Sequence, residues 1–237
     1  RRPRQAHGGV AHAQRPRTPN DGDPMPRTHA IRAGLAAALV PLALGAAALA
    51  AGGPARADGL ACEIRSYATC NDADLSGADL ANARLRAAQL KRAKLDAANL
   101  RSSDLQGAYL TDASLQEADL TGANAEGATL VGAELTSAVL RRADFGDARM
   151  DRASMRDADA RGASFEGAQL QDVDFRGADL REAVFVGATL AGADLTGAKL
   201  DGAVLEGGAW QPGANLSGAT WIDGSVCGRG SIGRCSN

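Results

Sequence analysis

The sequence predicts a coiled solenoid, on three observations. From Asp74 to Trp210 one five-residue phrase recurs: small, polar, Leu, polar, polar. The 28 slots at 75, 80, 85 and so on to 210 hold 19 Leu, 4 Phe, 2 Met, 2 Ala and 1 Trp, and none is polar. Two residues before each slot, from 73 to 208, Ala fills 25 of 28 positions, the exceptions being Ser103, Val173 and Gly208.

A period of five excludes the ordinary elements. A helix turns by roughly 100° per residue, so Leu75, Leu80, Leu85 and Leu90 would spiral around it and share no face. A flat strand alternates its side chains with period two, and an odd repeat would throw successive leucines onto opposite faces. A backbone that turns a corner once per pentad brings every leucine to one interior, which is what a solenoid does. The alanine slot is then a second, small inward position. The residues between are Asp, Asn, Arg, Ser, Thr and Gly, which favour turns or water, with Gly just after the corner at Gly77, Gly107, Gly122 and Gly192.

The phrases read A-D-L-S-G at Ala73 to Gly77, A-D-L-T-G at Ala118 to Gly122 and A-D-L-R-E at Ala178 to Glu182. On these motifs the chain resembles the pentapeptide-repeat family over residues 73–221. The resemblance implies an all-β fold, a right-handed quadrilateral β-helix with four pentapeptides per turn. Adding the pentads centred on Leu216 and Trp221 gives 30, or about seven coils. It also implies that the repeat is a scaffold on which dissimilar surfaces are built.

Every Phe occupies a core slot, and a twenty-residue stack puts Phe145, Phe165 and Phe185 in one column. The turn containing Ala160 also carries Phe165 and Phe175, so a missing side chain on one wall is offset by larger ones on others. Leu75, Leu80 and Leu110 are expected in the core, with Trp210 and Trp221 covering the last coil beyond a one-residue phase shift at Gln211-Pro212-Gly213.

The ends differ from the middle. Residues 1–24, which precede the first Met at Met25, are expected to be disordered or upstream sequence not normally translated. Residues 25–57 read as an export signal: Arg27 and Arg32, an apolar run from Ala33 to Ala51, then Ala55-Arg56-Ala57 as a small-x-small cleavage site before Asp58. An uncleaved anchor is the competing reading of an apolar run of this length, against which stand its Ala and Gly content, Pro41 and the cleavage site.

Four cysteines bracket the repeats, Cys62 and Cys70 in an N-terminal cap over 58–72, Cys227 and Cys235 in a C-terminal cap over 222–237. An even count in an exported chain suggests disulfides. Ends separated by several coils exceed the roughly 7 Å limit between bonded Cα atoms, which leaves Cys62 with Cys70 and Cys227 with Cys235. The same separation disfavours one shared zinc ion.

No catalytic residue, cofactor site or metal site is expected. His7, His12 and His29 all precede the cleavage site, so the mature chain would hold no His base, ligand or nucleophile partner. Carboxylates such as Asp157, Asp159, Asp172 and Asp174 fall on a convex wall. From Asp58 onward 26 acidic and 18 basic residues leave a net charge of −8, which disfavours nucleic acid as a partner. Two basic groups stand out as a candidate interaction surface. Arg84, Arg86, Lys91, Arg92 and Lys94 wrap one early coil, while Arg141, Arg161 and Arg181 recur every twenty residues beside Asp159 and Asp179. Neighbouring Asp and Arg ladders neutralise one another; the alternative is a strip for an anionic partner.

Two functions follow. One is an exported, non-enzymatic scaffold or protein-interaction module of a bacterial envelope or exterior, binding a protein or envelope polymer. The other comes from the resemblance: some family members imitate duplex DNA and bind DNA gyrase, inhibiting it or protecting it from drugs. Export, the arginine columns, and the lack of an inserted loop or a long helix after the repeats count against the second.

Overall fold

The computed structural model describes residues 62–206 and 213–236, so the export-signal reading of 25–57 and the core reading of Trp210 lie outside the described residues. Within them the chain is built from single-residue β-bridges and no longer strand. Thr69 pairs in parallel with Gln89, Asp74 with Lys94, Asp79 with Asn99, and so on to Val184 with Val204, always twenty residues apart. Four pentads therefore close one coil. The period-five argument holds, but the paired element is one residue per pentad where an all-β label suggests strands.

The reason is that each pentad spends its backbone groups differently. Leu75 donates its N–H to the carbonyl of Lys94 in the next coil at 2.7 Å, and Gly77 donates to Asp96 at 2.8 Å. Lys94 donates back to Ala73 at 2.9 Å, and Ala78 closes a turn onto the Leu75 carbonyl at 3.1 Å. The N–H just after the core residue is left out of the backbone ladder; in many pentads a short polar side chain two residues earlier takes it, and after Leu90, Leu115 and Leu170 a side chain of the coil before does so. Asp74, Asp79, Asp104, Asp119 and Asp144, with Asn99, Asn124 and Asn215, accept from that N–H at 2.9 to 3.3 Å. This is why the phrase reads A-D-L: the Asp supplies the bond that the ladder omits.

The turn also needs a left-handed residue two places after the core slot. Gly77 sits there at φ 65°, but so do Ala87 at 52° and Arg92 at 54°. Several of these glycines lie under the flexible end of a side chain from the coil before. A Cβ on Gly167, Gly177 or Gly192 would come closer than 3.0 Å to the carboxylate of Asp147, Asp157 or Asp172 in the coil before.

The core is one continuous cluster of the leucine and alanine slots. Phe145, Phe165 and Phe185 stack with centroids 5.5 and 5.1 Å apart, and Phe175 meets Phe165 and Phe185 edge-on at 6.0 and 6.2 Å. Ala125 and Ala160 are also buried, so the aromatic cluster fills the section where two slots are small.

Toward the C-terminus the register slips. Asp194 pairs with Asn215 and Lys199 with Thr220, twenty-one residues apart. The extra residue falls between Val204 and Asn215, an interval in which Gly213 is described at φ 103°. The chain then reverses: Ile232 pairs antiparallel with Asn215 and Val226 with Thr220. Trp221 is only partly buried, packed against the end of the core. The structure bonds Cys62 to Cys70 and Cys227 to Cys235, with Cα atoms 5.3 and 4.9 Å apart.

Leu110 is wholly buried. Leu110→Asp should lower stability by more than about 4 kcal/mol and unfold the protein, whereas Thr111→Asp should stay within about 0.5 kcal/mol, as read by urea denaturation. Equal tolerance of both would overturn this register. Ser103 occupies an alanine slot with its hydroxyl buried and unpaired. Ser103→Ala should therefore raise stability by about 1 kcal/mol, and a loss would show that the hydroxyl has a partner.

Candidate interaction surface

Residues twenty apart fall into columns along the outside of the coils, so the surface is read column by column. Arg141, Arg161 and Arg181 each follow a core slot on the same wall, and the bridge column beside them carries Val139, Asp159 and Asp179. Nε of Arg141 donates to Asp159 at 2.6 Å. Arg161 grips the same carboxylate with Nε and Nη2 at 2.8 and 2.9 Å, and Arg181 grips Asp179 with Nε and Nη2 at 2.8 and 2.5 Å. Arg161 also approaches Asp179 at 3.9 Å, which links the pairs into one ladder. Thr121, Arg142, Gly162 and Glu182 join the three arginines around a shallow depression of about 460 Å³.

A second ladder escaped the sequence reading. Arg176 clasps Asp174 and reaches toward Asp194 at 3.8 Å, while Arg156 lies 4.0 Å from Asp174. The signal was present: Asp174-x-Arg176 has the spacing of Asp159-x-Arg161 and Asp179-x-Arg181. Each places a carboxylate on the bridge column and a guanidinium on the adjoining corner.

These pairs hold their carboxylates ionised. The Arg161 guanidinium, opposed by partial burial and then aided by Arg141, keeps the Asp159 carboxyl well below the usual carboxylate range. Arg181 lowers Asp179 in the same way, and Arg176 lowers Asp174.

The early basic group is built differently. Arg84, Arg86, Lys91, Arg92 and Lys94 are all exposed within one coil. Arg92 alone forms an ion pair, with Asp72 at 2.6 Å, and that contact lowers the Asp72 carboxyl. The other four have no ion pair among the described residues. The sequence ranked the two groups alike; the structure shows one tied up in carboxylate clasps and the other, Arg92 apart, without ion pairs among the described residues.

No group of His, Cys, Asp and Glu among the described residues is arranged to hold a metal ion. Nor, among them, is any helix long and apolar enough to cross a membrane.

A solenoid of one-bridge pentads is the class that this fold defines. The chain belongs to the pentapeptide-repeat family: eight copies of the pentapeptide-repeats model match within residues 68–207. Membership implies a right-handed quadrilateral β-helix, and proteins of this family are in general non-enzymatic structural or interaction proteins. Among solved structures it is similar to HetL, involved in heterocyst differentiation regulation in the cyanobacterium Nostoc sp. strain PCC 7120, at 29% identity over 68% of this chain and 90% of that one, TM-score 0.40. A pentapeptide-repeat protein of the Arabidopsis thaliana thylakoid lumen matches at 35% identity over 43% of this chain and 70% of that one, TM-score 0.41. The plasmid-mediated fluoroquinolone resistance protein QnrB1 matches at 22% identity over 55% and 76%, TM-score 0.33. A search of curated proteins found no match.

Asp159 titrates lower folded than unfolded, so its contribution is present above the unfolded value of about 4 and is lost as pH falls from there toward the folded value. Asp159→Asn should cost about 1 kcal/mol at neutral pH and flatten the loss of stability below about pH 4, measured as urea midpoints across that range. An unchanged acid slope would show that the ladder contributes nothing to folding.

Proposed function

We propose that the protein is an exported, non-enzymatic pentapeptide-repeat scaffold that presents the walls of its coils to a protein or polymer of a bacterial envelope or exterior. The observation that carries this reading is the pair of bonded cysteines at each end of the repeats, because disulfides persist in oxidising compartments. The organisation that fits it is a cleaved signal at 25–57, a cysteine cap at 58–72, about seven coils over 73–221 and a second cap at 222–237. Each disulfide closes a short loop and restrains the unfolded chain by roughly 2 to 3 kcal/mol. Caps of this kind serve a solenoid, whose terminal coils otherwise offer open edges to other chains.

The gyrase-binding alternative gains no support from the surface. A duplex-DNA mimic presents negative charge outward, whereas here arginines line the bridge-column carboxylates and bind them.

Expression from Met25 in a bacterial host, with intact mass measured after thiol alkylation with and without reductant, tests the reading. A mature chain beginning at Asp58, with all four thiols blocked until reduced, is expected. Retention of residues 25–57 with free thiols would sink export and make gyrase binding the next assay.

A further inference from the structure

The walls of the coils differ in charge. Among the described residues, the bridge column that runs from Thr69 through Tyr109 and Thr129 to Thr189 holds no carboxylate. The column through Asp104 and Asp144 holds two, and the columns through Glu134 and Asp159 hold four each. On a chain with an excess of acidic residues, the carboxylate-free wall is the one on which a second copy meets least repulsion.

The order of side chains on this wall suits such a copy. Outward from Thr129, Tyr109 and Arg149 stand one coil away, Gln89 and Gln169 two coils, and Thr69 and Thr189 three. The two corners that flank the wall reverse their charge about the same coil. On one, Asp112 lies a coil before it and Arg152 a coil after, with Arg92 two coils before and Asp172 two after. On the other, Arg86 lies two coils before and Glu166 two after. All six are exposed, and Arg92 alone of them has an ion pair among the described residues.

We propose that this wall is the interface of a homodimer, in which a second copy lies antiparallel, wall to wall, about a two-fold axis through Thr129. An isologous contact sets each residue against the one at the inverted position, and here the inverted positions match. Arg86 opposes Glu166, Arg92 opposes Asp172 and Arg152 opposes Asp112, each pair occurring twice. Gln89 meets Gln169 amide to amide, and the Arg149 guanidinium meets the ring of Tyr109, which is 47% exposed. Tyr67, 71% exposed, falls opposite Gly187, at a depression of about 500 Å³ that Gly146, Gly167 and Gly187 leave open beside Val186. Glu126, Asp144, Asp147 and Glu166 also border that depression, so an aromatic ring with Arg86 next to it is a fitting occupant. A parallel pair would instead bring Arg86 against Lys91 and Arg92. Like charges meet in the antiparallel pair where Glu126 opposes its own copy, and each Glu126 already accepts from the Gln106 amide at 2.6 Å.

The wall spans six ladder steps of ~4.8 Å, and a face of that length and one coil edge in width buries on the order of 1,000 Å² in total, the low end for a specific interface. The dimer is therefore expected to be weak, with a Kd of roughly 10 μM. It goes beyond the envelope reading above, and a test on purified protein does not depend on export. Sedimentation equilibrium at concentrations bracketing that Kd should show a reversible dimer that added salt weakens. Arg152→Glu and Asp112→Arg should each weaken it about tenfold, and the two together should restore it to within about threefold, with unfolding midpoints unchanged throughout. Both residue types already stand at such left-handed corners, as Glu117 and Arg92 do. A monomer at every concentration, a dimer indifferent to both single changes, or a double change that fails to restore association would each overturn the proposal.

Discussion

Each core residue from Leu75 to Phe185, and again Leu195 and Leu200, donates its N–H to a carbonyl in the coil that follows, at 2.6 to 2.9 Å, and most of the structure follows from that one bond. It fixes the coil at twenty residues, because the acceptor is the bridge residue four pentads on. With the register fixed, like positions stack, so a core slot always meets a core slot and an alanine always meets a small neighbour. The interior is then continuous although no strand exceeds one paired residue. Where the acceptor moves by one residue, at Leu195 to Asn215 and Leu200 to Thr220, the core persists for one more partial coil and the chain turns back on itself.

The bond also leaves a deficit that the outward residues fill. The N–H after the core slot lacks a ladder partner, and Asp or Asn at the bridge position supplies one. Once a carboxylate stands there for that local reason, an arginine at the corner two residues on can clasp it, as Arg161 does Asp159 and Arg176 does Asp174. The ladders of charge are in this sense a by-product of turn chemistry. They sit on half-exposed columns where a single pair contributes at most about 1 kcal/mol.

This explains what the sequence revealed. The leucine and alanine slots carry the fold in their spacing alone, and Phe145, Phe165 and Phe185 fall into their stack from the twenty-residue arithmetic. The left-handed corners at Ala87 and Arg92 left no mark, because stacking holds the backbone there without glycine. The antiparallel reversal through Val226 and Ile232 has no apolar period to announce it. On the surface, position was legible but pairing was not: a string of letters places Arg86 and Arg161 equally well. It does not say that one guanidinium has a carboxylate within 3 Å and the other has none among the described residues.

That difference bears on what each group can offer a partner. A guanidinium already bound through Nε and Nη2 must break or share two charge-assisted bonds to serve a partner, whereas a free one exchanges only water. The clasped columns of the later coils are therefore poorly placed to gain affinity, even though they gather more arginines. The early coil has five cations, and all but Arg92 are without an ion pair among the described residues. In a fold with convex walls and a filled core, binding has to come from outward side chains the coils do not need. Arg86 is without an ion pair among the described residues, whereas Arg141, Arg161 and Arg181 each hold a carboxylate.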